Sequence, residues 1–130
     1  MRLPLTTIGR GAYSGRTVAG RIACTEDQTW RDLWNEHMAN EPSSRPAVDF
    51  SSEAVLAVFA GQRPSSGWTV EITSAETPEP SSPAAVRGTL TVRYVIRAPL
   101  GPAQDVLTHP FHIVRVPRKS WDRAVFESSG

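Results

Sequence analysis

Few residues of this 130-residue chain stand at a spacing that could do chemistry. His109 and His112 form a His-x-x-His pair. On a helix that spacing would put both imidazoles on one face, as a metal site requires; on a strand it points them to opposite faces. Pro110 argues against a helix, and no cysteine or acidic pair stands nearby to complete a tetrahedral set. One exposed and one packed histidine is the expected arrangement, with no metal and no other cofactor. Cys24 is the only cysteine, so no internal disulfide can form. It follows Ile22 and Ala23, which suits a small core residue better than a nucleophile. Ser65 and Ser66 lie between Pro64 and Gly67, outside any Gly-x-Ser-x-Gly turn, and the sequence sets no base beside them. There is no phosphate-cradling glycine loop ending in Lys-Ser or Lys-Thr. Glu71 and Glu76 fall on the solvent side of an expected strand. No pair of carboxylates for acid–base work is marked out, so the reading is of a chain that is not an enzyme.

Arg115, Arg118, Lys119 and Arg123 form a basic stretch with Trp121 inside it, a mix that can contact phosphates and stack bases. Asp122 interrupts it. With 14 basic and 13 acidic residues the formal net charge is +1, which gives no general pull toward nucleic acid or anionic lipid. A charged edge that discourages strand pairing is the expected role, and nucleic acid is not an expected partner.

The segment Gly61-Gln62-Arg63-Pro64-Ser65-Ser66-Gly67-Trp68 is the most informative. Gly61 and Gly67 permit backbone angles closed to other residues, and Pro64 stiffens the middle. Trp68 opens the next strand and can anchor the loop to the sheet. A shaped loop held by a sheet loses little entropy on docking, which suits protein recognition. Arg63, Pro64, Ser65, Ser66, Gly67 and Trp68 are therefore the candidate partner-binding residues, with Arg63 donating to the partner and Trp68 bracing the loop from below. An ordinary structural turn would use the same residue types.

The elements that must position this loop follow from periodicity. Thr25-Glu26-Asp27-Gln28 is a helix start with Thr25 as cap and Gln28 completing a capping box. Trp30, Leu33, Trp34, His37 and Met38 then form one apolar stripe, ended by Asn40, Pro42 and Pro46. Val18, Gly20, Ile22 and Cys24 alternate along a strand over 16–24. Val48-Asp49-Phe50-Ser51 reads as a short extended piece, with Ser51 or Ser52 capping a turn. Val55 to Ala60 is a continuous apolar run, expected as a central strand covered on both faces. Trp68–Thr73, Leu90–Arg97 and His112–Val116 alternate as half-buried strands, and 123–127 adds an edge strand. Residues 9–15, 77–85 and 98–105 read as loops. The sum is an α+β chain: a mainly antiparallel β-sandwich or barrel-like sheet of about six strands, with one amphipathic helix near the N-terminus covering an open face.

A length of 130 residues suits one domain, here 1–130 with 1–14 as a flexible or edge segment. Eleven prolines and nine glycines fit many turns between short strands. No stretch approaches the roughly 18 apolar residues of a membrane-spanning helix. Met1 to Arg10 lacks the apolar run of a signal peptide, so a cytoplasmic location is expected for the chain as written. A start trimmed of its leader would instead point to the cell envelope or exterior.

Taken together, the helix with Trp30, Leu33 and Trp34, the Val48–Ser51 piece, the strand Val55 to Ala60, the 61–68 loop with the strand Thr69 to Thr73, and Pro110-Phe-His-Ile-Val-Arg-Val-Pro117 resemble the C-terminal domain of the protease complex subunit PrcB family, over Ser14 to Pro117. That family takes its name from a bacterial lipoprotein that associates with and stabilises a secreted protease. The resemblance implies a protein partner, with a protease as its class, and supplies no catalytic residue. Separately, Arg63-Pro64-Ser65-Ser66-Gly67-Trp68 is similar to the Asn-Pro-Thr-Thr-Gly-aromatic loop of chagasin-type cysteine protease inhibitors, with Arg63 in place of Asn and serines in place of threonines. The leading expectation is a non-catalytic protein-binding module, an accessory or stabilising subunit of a protease. The alternative is a protease inhibitor acting through residues 61–68.

Overall fold

The fold is taken from a computed structural model, which describes residues 1–84 and 87–129. Ala85, the last residue of the predicted 77–85 loop, lies outside the described residues. The elements run in the order β1 (Thr6–Gly11), β2 (Gly20–Cys24), α1 (Asp27–His37), β3 (Glu53–Phe59), β4 (Thr69–Glu76), β5 (Gly88–Arg97), β6 (Phe111–Pro117) and β7 (Trp121–Ser128). They form two sheets, a four-stranded one in the order β1-β6-β3-β2 and a three-stranded one in the order β4-β5-β7.

β3 shows why the sandwich forms. Its residues alternate in face but are apolar on both, as the unbroken run Val55 to Ala60 predicts. Ala54, Leu56 and Val58 join Val70, Ile72, Leu90, Val92 and Val114 in the core between the sheets. Val55, Ala57 and Phe59 turn the other way and meet Trp30, Leu33 and Trp34 of α1, with Cys24, Phe111 and Ile113. The expected central strand and the expected helix cover are both present.

Trp30 is fully buried and its indole N–H donates to the Pro46 carbonyl at 3.0 Å. Trp34 donates in the same way to Ser43 at 3.0 Å. Each tryptophan thus fills the core with its rings and holds the 38–52 connection with its one polar atom. The helix start differs from expectation. Glu26, in extended backbone, is the cap residue and makes no side-chain cap bond. Gln28 donates to Asp32 at 2.9 Å instead of reaching back, and the Thr25 carbonyl accepts from Arg118. An 11-residue helix without a side-chain cap is held by its buried stripe, not by its own ends.

Three other expectations are corrected. The segment 9–15 is not all loop: β1 runs through Gly11 and pairs antiparallel with β6. Val18 is exposed, because β2 begins only at Gly20. Residues 49–52 are a turn closed by Asp49, whose carboxylate accepts from the Ser51 hydroxyl at 2.6 Å and the Ser51 N–H at 3.0 Å. Those two bonds hold the Asp49 carboxyl below its ordinary pKa. The seventh strand comes from β1, and one pairing is parallel: β7 lies beside β5. The chain leaves β5, runs through β6 in the opposite sheet and returns, which provides the long crossover that a parallel neighbour needs.

One flank of the sandwich is sewn shut. Leu3 N–H donates to Ala75 at 2.8 Å, Arg10 Nε to the Val70 carbonyl at 2.8 Å, and Ile72 N–H to His112 Nδ1 at 2.8 Å. These bonds take up edge groups of β4. On the opposite flank, where β2 and β7 are the outer strands, Arg21 donates to the Tyr94 hydroxyl at 3.1 Å.

Candidate functional site

Strand register brings three loops to one end of the sandwich. β1 finishes at Gly11 opposite Phe111, β2 starts at Gly20 opposite Phe59, and β4 starts at Thr69 opposite Arg97. The connections 12–19, 60–68 and 98–110 therefore emerge together. They are tied to one another by backbone. Arg63 and Thr108 exchange N–H···O bonds of 2.8 and 3.0 Å, and Ser66 N–H donates to Gln104 at 3.0 Å. His109 N–H donates to Ala12 at 2.7 Å, and Ser14 N–H returns to His109 at 2.9 Å.

The two glycines of the candidate loop are contact points. Gly61, at φ +76°, would bring a Cβ to 3.0 Å from the Ala19 nitrogen. Gly67, at φ +87°, would bring one to 2.8 Å from the Pro99 Cβ. Left-handed backbone and close approach together restrict both places to glycine.

All six candidate residues come together, and Trp68 braces the loop as expected, but Arg63 does not point outward. Arg63 is half-buried and folds back onto the loop. Its guanidinium carbon sits 4.6 Å from the centre of the Trp68 ring, and Nη2 donates to the Ala60 carbonyl at 3.1 Å. Arg63 therefore braces the loop jointly with Trp68 through a cation–π contact. Ser66 Oγ accepts the Gln104 N–H at 2.9 Å, and Ser65 offers its carbonyl to the Thr108 hydroxyl at 2.9 Å. Those serines are spent on holding the neighbouring loop. Pro64 and Gly67 form the exposed tip. Hollows of about 280 Å³ beside Trp68 and about 270 Å³ beside Arg63 flank the brace.

What the sequence reading missed is the apolar surface around this loop. Of the seven exposed large hydrophobic side chains among the described residues, Tyr13 and Val18 lie on the 12–19 connection and Leu100, Val106 and Leu107 on the 98–110 connection. Tyr13 and Val18 are each 66% exposed and Leu107 is 56% exposed. The signal was present in Tyr13, Leu100, Val106 and Leu107, which belong to no alternating pattern, whereas Val18 reads as part of the 16–24 strand. Only the topology shows that they share one end.

The other candidates take structural places. His112 is buried and bridges three strands: Nδ1 accepts from Ile72 of β4, and Nε2 lies 3.0 Å from the Thr7 hydroxyl of β1. Because a backbone N–H can only donate, Nδ1 is the acceptor and Nε2 carries the proton. Burial, then the Arg10 charge, pushes its pKa down from 6.5 to about 4. His109 is half-buried rather than exposed, with Nε2 enclosed and without a partner among the described residues. Among the described residues no three His, Cys, Asp or Glu side chains cluster as a metal site would need. Cys24 is fully buried, and its thiol is pushed up to about 12, so it is not a thiolate at neutral pH. His37, whose pKa burial lowers, packs edge-on against Phe111 with ring centres 4.3 Å apart, and its Nδ1 lies 2.7 Å from the Ser14 hydroxyl. Ser14 is itself buried, and its oxygen also takes the Arg16 N–H at 3.0 Å. In the basic stretch, Arg118 donates to the carbonyls of Thr25 and Phe50, and Trp121 is buried with its N–H on Pro117. No helix among the described residues is long and apolar enough to cross a membrane.

Neither a curated protein nor a solved structure matches the chain. One family model does, that of the PrcB C-terminal domain, over residues 54–117. The match begins in β3 and ends with β6, so it takes in the central strand, the 61–68 loop, the whole β4–β5 hairpin and the 98–110 connection. Over that span the chain is similar to the PrcB C-terminal domain.

Proposed function

We propose that the chain is a non-catalytic protein-binding module, an accessory subunit that docks on a protease through the loop end of the sandwich. The observation that carries this reading is the pairing of exposed apolar side chains with a cross-braced frame. Tyr13, Val18, Leu100 and Leu107 face solvent on connections fixed to one another by the Arg63–Thr108, Ser66–Gln104 and Ala12–His109 bonds. Exposed apolar groups clustered on one face are what interfaces bury. A frame already in shape reduces the ordering cost of association. The protease as partner class rests on the PrcB C-terminal family.

A protease inhibitor acting through residues 61–68 is the second reading. The exposed Pro64–Gly67 tip between two strands favours it. One experiment separates the two. The chain is immobilised, proteases retained from the native source are identified by mass spectrometry, and their turnover of a peptide substrate is measured with increasing chain. An accessory subunit leaves turnover intact and slows loss of the protease on heating. An inhibitor abolishes turnover. Retention of no protease contradicts both readings.

A further inference from the structure

The open flank of the sandwich points to self-association. β7 has eight residues, whereas β2, the outer strand of the other sheet on that flank, has five. The outward groups of β7 can be assigned. Ser129 N–H donates to the Tyr94 carbonyl at 2.8 Å, and the β5–β7 register is unbroken from Thr89–Arg123 to Tyr94–Ser128. In such a ladder alternate residues turn both their N–H and C=O to the same neighbour. Residues 123, 125, 127 and 129 therefore face β5, and Ala124, Phe126 and Ser128 direct both peptide groups away from it.

We propose that this edge pairs with the same edge of a second copy of the chain, antiparallel about a two-fold axis through Val125, to make one continuous six-stranded sheet. Charge selects the register. Ala124 of one copy lies opposite Phe126 of the other, and both present outward groups, so they exchange two hydrogen bonds. Val125 meets Val125, and Arg123 lies opposite Glu127 twice over. Of the two-fold registers that keep outward groups opposite one another, only this one sets Arg123 against Glu127; centring on residue 123 would oppose arginine to arginine. The side chains suit both faces. Ala124 and Phe126 already pack on the core between the sheets, so the pairing continues that core across the axis. Val125 is 46% exposed on the outer face. Glu127 bonds Arg93 at 2.9 Å within the chain, and the second copy's Arg123 would extend that ion pair into a ladder. A two-fold pairing of one patch with itself is the commonest form of homodimer. The inference does not depend on the loop end, which lies on other elements.

Sedimentation velocity tests it. The parent chain is expected to sediment as a dimer. Ala124→Pro removes an outward N–H while leaving the β5 ladder untouched, as an edge strand tolerates, and is expected to sediment as a monomer with an unchanged far-UV spectrum. Arg123→Glu and Glu127→Arg each set like charges opposite one another and should each weaken self-association about tenfold or more; mixed in equal amounts they are complementary and should dimerise again. These charge variants decide the matter if Ala124→Pro does not fold. A parent chain that stays monomeric at every concentration overturns the proposal. So do charge variants that dimerise as tightly as the parent, or a mixture that does not recover.

Discussion

Protonating His112 should unfasten the sewn flank. The imidazole accepts the Ile72 N–H at 2.8 Å and lies 3.0 Å from the Thr7 hydroxyl, and it does so buried at 5% exposure. A proton on Nδ1 would turn that acceptor into a donor facing another donor. The folded state therefore holds the ring neutral, with its pKa lowered from 6.5 to about 4. The unfolded chain takes up the proton first. Stability from this group is complete above pH ~6.5 and is lost as pH falls toward ~4, because the unfolded state binds more protons in that window. At about 1.4 kcal/mol for each tenfold change in proton affinity, the loss is on the order of 2–3 kcal/mol near pH 4.5. The assay is urea unfolding near pH 7.5 and near pH 4.5 on the parent and on His112→Asn. The variant keeps an acceptor for Ile72 and cannot titrate. His37, whose pKa is also lowered by burial, acts in both proteins and cancels in the comparison. The parent should lose about 2–3 kcal/mol more than the variant between the two conditions. Equal losses would refute the role assigned to His112.

Two further substitutions probe the frame. Trp34→Ala empties part of the core beneath the helix and frees the Ser43 carbonyl, and should cost about 3–5 kcal/mol in denaturant unfolding; an unchanged midpoint would refute the packing. Gly67→Ala forces a side chain into left-handed backbone against Pro99 and should cost about 1–3 kcal/mol by calorimetry, so a variant melting with the parent would show the loop contact to be slack.

The core was the most legible part of the sequence. The run Val55 to Ala60 could be placed between two layers because a strand apolar at every position has no solvent face. The helix could be placed by Trp30, Leu33 and Trp34, whose spacing allows one buried stripe. β1 was hidden because Gly9 and Gly11 look like loop residues. Their strand conformation comes from pairing with β6 and contact with Phe111, neither of which is local in sequence. The strand over 123–127 is legible, but its parallel pairing with β5 was hidden for the same reason, since only the crossing through β6 makes it possible. At the candidate site, residue types identified the 61–68 loop but not its wiring. The stacking of Arg63 on Trp68 depends on a backbone bridge to Thr108, 45 positions further along the numbering. The apolar rim of Tyr13, Leu100 and Leu107 depends on the 12–19 and 98–110 connections meeting at one end.

The most direct test of the central claim is the affinity of a protease captured by the parent chain for a Tyr13→Ser/Leu107→Ser variant. Both side chains are exposed, so the variant should melt with the parent. The account predicts that its Kd rises tenfold or more, the loss of about 1.4 kcal/mol or more that interface anchors typically carry. Equal affinity in parent and variant would place the interface elsewhere and contradict the account.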